Sequence, residues 1–180
     1  YLPVGYKSDG IKIDKFKENT CVGFHATKAT VLFKIIQEGF KLPSELPGKG
    51  VNDNHIELGV TVFGIKNYAN AIFVSPSIVY SALYGGEDDK IIARTNICTY
   101  VHVGHIEQNQ ILIIILQTRV TPKSYTVHKN TTPYKVFDHH YSEDVVEWRI
   151  LNKKDVFPYR ILYKTVSLVD YLVSYVEWFN

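Results

Sequence analysis

Methionine is absent from the 180 residues, and cysteine nearly so, with only Cys21 and Cys98. Two cysteines cannot build a disulfide scaffold, and both lie in apolar, strand-like surroundings where a reduced buried thiol is the usual state. An intracellular setting is the default this implies, with localisation otherwise open. A chain that starts at Tyr1 and holds no Met reads as a fragment of a longer protein whose targeting signals lie elsewhere. An excess of one charge is also lacking: 20 basic against 18 acidic residues leave +2, which argues against the clustered Lys and Arg footprint of a nucleic-acid or anionic-membrane binder. The longest wholly aliphatic run, Ile111 to Leu116, is far short of the roughly 20 residues that cross a bilayer, and the start of the chain has no signal-peptide pattern. The sequence therefore reads as soluble, with no membrane partner. Several catalytic signatures are missing as well: a phosphate-cradling glycine loop ending in Lys-Ser or Lys-Thr, CxxC, HExxH and GxSxG. Hydrolase and nucleoside triphosphatase readings lose their usual support.

What is present suits one domain with a substantial core: 46% hydrophobic and 13% aromatic residues over a single-domain length. Val, Ile and Thr supply 50 of the 180 residues, a β-branched loading that favours sheet over helix. Strands are expected at 20–25, 71–74, 96–103, 111–117, 145–151 and 159–163. A helix is expected over 27–38, where Val31, Leu32, Ile35 and Ile36 recur at helical spacing and Gly39 supplies the stop. A second short helix should start at Ser75-Pro76, with Ser75 as its cap, and end at Gly85-Gly86. The Pro- and Gly-rich stretch 41–70 reads as a long, functional loop with a short strand at 60–63. The polar stretch 121–144 reads as another excursion, and 168–179 fits helix or strand.

Few residues invite chemistry. His139-His140 beside Asp138 suggests a metal only superficially, because adjacent side chains on an extended chain point apart; no metal is expected. His102 and His105 have no acidic partner at a telling spacing. Three other stretches say more together than apart. In Gly23-Phe24-His25-Ala26-Thr27 a histidine ends a strand just before a helix, which aims an imidazole and a backbone amide at one cleft. In Ala71-Ile72-Phe73-Val74-Ser75-Pro76 a buried strand enters a helix whose Ser81 and Tyr84, three apart, share a face. In Val145-Val146-Glu147-Trp148-Arg149-Ile150 alternation places Glu147 and Arg149 on one face of an apolar strand. Each alone has an ordinary reading: a capped turn, a half-buried helix face, an ion pair between Glu147 and Arg149.

Taken in order, these stretches resemble the catalytic domain of the poly(ADP-ribose) polymerase-like ADP-ribosyltransferases, over about residues 20 to 165. His25-Ala26-Thr27 and Ile35-Ile36-Gln37-Glu38-Gly39-Phe40 are similar to that family's first strand and the helix after it. Ala71-Ile72-Phe73-Val74 and Ser81-Ala82-Leu83-Tyr84 are similar to its second motif, and Glu147-Trp148-Arg149-Ile150 with Asp155-Val156-Phe157-Pro158-Tyr159 to its closing glutamate and last core strand. Two positions depart from the pattern. Phe73 stands where the family usually has Tyr, and Asn70 and Ala71 replace the glycines that flank that strand. The second ADP-ribosyltransferase class, with an Arg on the first strand and Glu-x-Glu, fits worse, because His25 holds the first position and Glu143 is four residues from Glu147.

The resemblance implies a mixed α/β (α+β) domain, with two mainly antiparallel sheets in a split sandwich around a nicotinamide cleft. It implies transfer of ADP-ribose from NAD, as substrate, to an acceptor, with release of nicotinamide and addition of a single unit. By resemblance, Glu147 would orient the reacting ribose and His25 bind the adenosine ribose, while the Ala26 backbone beside Thr27 holds the carboxamide. Phe73 and Tyr84 would cover the two sides of the nicotinamide ring and Ser81 bond its amide. The 41–70 excursion would be a lid and 121–144 an acceptor-facing loop. The expected acceptor is a protein, with nucleic acid left open, and oligomeric state is undetermined. The alternative from another class is a catalytically silent domain that reads NAD or ADP-ribose or binds proteins, for which Phe73 is the main support.

Overall fold

A computed structural model describes residues 19–27, 29–46, 53–84, 110–131 and 138–167. The elements, in chain order, are β1 (Cys21–Ala26), α1 (Ala29–Glu38), a 3-10 turn (Pro43–Glu45), α2 (Asp53–Phe63), β2 (Ile72–Val74) and α3 (Ile78–Tyr84). They continue with β3 (Gln110–Val120), β4 (Tyr125–His128), β5 (Glu147–Ile150), a second 3-10 turn (Lys153–Asp155) and β6 (Val156–Ser167). The strands form two antiparallel three-stranded sheets, ordered β1-β3-β6 and β2-β5-β4, so the fold is mixed α+β as its composition implies.

The sheets meet where β1 passes the end of β2. Phe24 N–H donates to the Ser75 carbonyl at 2.7 Å and Ser75 N–H to the Phe24 carbonyl at 2.9 Å, an isolated antiparallel bridge. Gly23 permits the approach, since a Cβ there would lie 2.9 Å from Val74 Cγ2. The main core of Leu32, Phe40, Val74, Leu116, Val120 and Ile150 draws on α1 and on strands of both sheets. Helix α1 closes that core with Leu32 and Ile35 and leaves Phe33 exposed, as its 3.6-residue period requires. Gly39, at φ 79°, ends it.

Four expectations need correction. The 41–70 stretch is not one long loop and holds no strand at 60–63: Asp53–Phe63 is helical. Val60, Thr61 and Val62 point outward there, Thr61 Oγ1 donates back to the Glu57 carbonyl at 2.8 Å, and Gly64 at φ 66° supplies the stop. The cap of α3 is Ser77, not Ser75: Ser77 Oγ accepts from Tyr80 N–H at 2.9 Å, while Ser75 Oγ accepts from Ser77 N–H at 3.0 Å, so Pro76 sits in the approach to the helix. The 121–144 stretch contains a strand, β4, paired to β5 on the outside of the second sheet. The last strand runs from Val156, earlier than expected. It accommodates Pro158 because β6 is an edge strand among the described residues and its register shifts at that point, Thr118 facing Pro158 and Gln117 facing Arg160. The expected strand at 96–103, the Gly85-Gly86 stop, Cys98, His102, His105 and the segment 168–179 lie outside the described residues. Among the described residues no helix is long and apolar enough to cross a membrane.

Candidate active site

A cleft of about 700 Å³, within the size range of small-molecule sites, is lined by residues of β1, α1, β2 and α3. His25, Ala26, Thr27, Phe73, Ser81 and Glu147 all line it. Residues expected from three separate stretches thus share one concavity. Tyr84 is the last residue of α3, and its side chain is not among those described.

Each is placed by the sheet joint. The Phe24–Ser75 bridge sets the end of β1 beside the end of β2, and there His25 Nδ1 donates to the Phe73 carbonyl at 2.8 Å. A carbonyl can only accept, so Nδ1 carries the proton and the neutral ring keeps Nε2 as an acceptor. Phe40 packs its ring edge-on against the imidazole, centroids 5.2 Å apart. Burial lowers the His25 pKa, and the bond to Phe73 opposes that only in part. Ser81 hangs from α3 and donates to the Phe24 carbonyl at 2.9 Å, a second tie between helix and first strand.

Glu147 is the chemical centre of the arrangement. Only 1% exposed, it receives three hydroxyls: Tyr68 on Oε1 at 2.6 Å, and Tyr80 at 2.9 Å and Thr131 at 2.6 Å on Oε2. Burying a carboxylate costs several kcal/mol unless donors satisfy it, and here they do. Burial, reinforced by the charge of Glu147, pushes both phenol pKa values far above their ordinary range, so Tyr68 and Tyr80 stay protonated and act as donors. The simple ion pair considered for Glu147 and Arg149 is replaced by other partners. Arg149 donates from Nε to the Tyr68 carbonyl at 2.8 Å and from Nη2 to the Asn67 carbonyl at 2.9 Å, fixing the turn that carries Tyr68.

Sequence reasoning missed Tyr68, Tyr80 and Thr131. Only Tyr80 left a signal: it stands four residues before Tyr84, one turn back on the same helix face. Asp138 and His140 serve a local role instead, Asp138 accepting from Ser77 Oγ and from His140 N–H, which ties the chain beyond β4 to the start of α3. Among the described residues no group of three or more His, Cys, Asp or Glu side chains is placed to hold a metal ion.

The lowered His25 pKa has a measurable consequence. The unfolded chain takes up a proton near pH 6.5 and the folded one only below that. The stability from a neutral His25 is thus fully present above about pH 6.5 and is lost as pH falls through the folded pKa. Half-buried His128, its pKa also lowered chiefly by burial, adds to the same trend. Thermal melts from pH 7.5 to 5 should show wild type losing more stability on acidification than His25→Gln; equal slopes would contradict a buried neutral imidazole.

No protein-family model matches this chain, and no curated protein is similar to it at a significant level.

Proposed function

We propose that the cleft binds NAD and that the protein transfers single ADP-ribose units to an acceptor, releasing nicotinamide. The observation that carries this reading is the convergence of His25, Ala26, Thr27, Phe73, Ser81 and Glu147 on one cleft, with Glu147 of β5 a buried part of its lining. In the reaction the bond between ribose C1″ and the nicotinamide nitrogen breaks, and its electron pair neutralises the pyridinium. The acceptor then bonds to C1″ and gives up a proton. Positive charge develops on the ribose, so a fixed carboxylate nearby stabilises the transition state more than the ground state. Glu147 takes that role and accepts from the ribose 2″-hydroxyl. His25 offers Nε2 to a hydroxyl of the adenosine ribose. The Ala26 backbone and Ser81 hold the carboxamide, and Phe73 and Tyr84 enclose the ring, for which an aromatic face suffices without a hydroxyl. Pro43 and Leu46, beyond α1, also line the cleft, and in this reading they face the adenosine.

Incubating the protein with labelled NAD and a cell extract, then analysing products by mass spectrometry, tests the transfer. The expected product is a single ADP-ribosyl unit on a macromolecule, a protein first of all; intact NAD after incubation would contradict the reading. Phe73 favours a second reading, a silent NAD or ADP-ribose reader. That reading predicts binding of NAD without release of nicotinamide.

A further inference from the structure

We infer that Tyr68 is a positioning residue for Glu147, seated by Gly59 and Arg149, so that helix α2 acts on the site through it. This rests on the NAD reading of the cleft and names what holds its carboxylate in place.

Tyr80 and Thr131 both donate to Oε2 and so anchor one oxygen, while Tyr68 donates to Oε1 at 2.6 Å and holds the carboxylate plane from the other side. The last torsion of a glutamate is broad, and it takes a single orientation only where donors fix both oxygens. Three features hold the phenol. A Cβ on Gly59 would stand 2.0 Å from Tyr68 Cβ and 2.5 Å from its Cγ, so α2 can lie against this ring only with glycine at that position. Arg149 holds the Asn67 and Tyr68 carbonyls, which flank the Tyr68 Cα, and its guanidinium lies 5.2 Å from the Tyr68 ring centroid. The ring also stacks on Phe63, centroids 4.9 Å apart, and meets Phe73 at 5.3 Å. Arg149 is two residues from Glu147 on β5 and shares its face. One strand therefore carries both the carboxylate and the guanidinium that fixes the carboxylate's donor. The mid-helix glycine of α2, unfavourable for the helix by itself, is explained by the same contact.

Tyr68→Phe keeps the ring and removes the donor. It should lower kcat for nicotinamide release roughly 10- to 100-fold, as expected for a hydrogen bond to a charged group, while the NAD dissociation constant from calorimetry changes less than about twofold. A role in packing alone would move neither. Gly59→Ala should reproduce the loss by displacing the ring, and the double variant should be no slower than Tyr68→Phe. Should Gly59→Ala fail to fold, Tyr68→Phe still decides: wild-type kcat in that variant overturns the inference. A double-mutant cycle of Tyr68→Phe with Glu147→Gln in thermal unfolding reads the contact without turnover. Additive effects overturn the inference whatever NAD does. Non-additive effects in a protein that releases no nicotinamide uphold the coupling and overturn the NAD reading alone.

Discussion

Glu147→Gln should slow nicotinamide release by about 10²-fold or more and leave NAD binding nearly unchanged. The substitution preserves size and rotamer preference and removes one negative charge. In the wild type the carboxylate is buried and held by three hydroxyls, so in the proposed reaction it is fixed beforehand and costs no reorganisation as positive charge develops on the ribose. A neutral amide can still meet a ribose hydroxyl but cannot balance the developing cation, so the loss falls on kcat. Stopped-time assays of nicotinamide with parallel calorimetry separate the two. A variant that turns over at the wild-type rate would remove Glu147 from the chemistry, and one that loses affinity and rate together would make it a ground-state contact.

Leu32→Ala should produce the largest loss of stability among simple truncations of α1. Leu32 is 1% exposed and packs into the main core. Deleting such a side chain costs about 2 to 5 kcal/mol through lost transfer energy and the cavity left behind. For a chain of this length that lowers Tm by on the order of 10 °C. Phe33→Ala, at a neighbouring position 49% exposed, is the control and should change stability by about 0.5 kcal/mol or less. Ile35 on the same helix belongs to the core and also lines the cleft, so loosening α1 should weaken NAD binding along with stability. Equal melting temperatures for the two variants would mean that α1 is not seated as described.

The parts of the fold with local causes were legible in the sequence. Strand β3 follows from its run of β-branched residues, β1, β2, β5 and the middle of β6 from short apolar stretches, and α1 from an apolar period that ends at Gly39. Helix α2 was obscured because Pro43, Pro47, Gly48, Gly50, Gly59 and Gly64 look like loop composition. Gly59 is there for a tertiary reason, the Tyr68 ring against it, which no window of sequence displays. Strand β4 has four residues with Thr126 and Val127 exposed, at the edge of its sheet among the described residues, too short and too polar to stand out. The site divides the same way. Glu147 was conspicuous as a carboxylate in an apolar strand, and His25 as a polar residue at a strand end. The donors that hold Glu147 lie 79, 67 and 16 residues away in sequence, so nothing local linked them to it.

The most direct test of the NAD reading is nicotinamide release by the wild-type protein, followed with NAD as substrate in the presence of a cell extract that supplies acceptor, beside Glu147→Gln as the control. The geometry of the cleft predicts steady release from wild type and little above background from the variant. NAD that binds wild type and yet releases no nicotinamide would contradict the enzyme reading and identify the cleft as that of a silent reader.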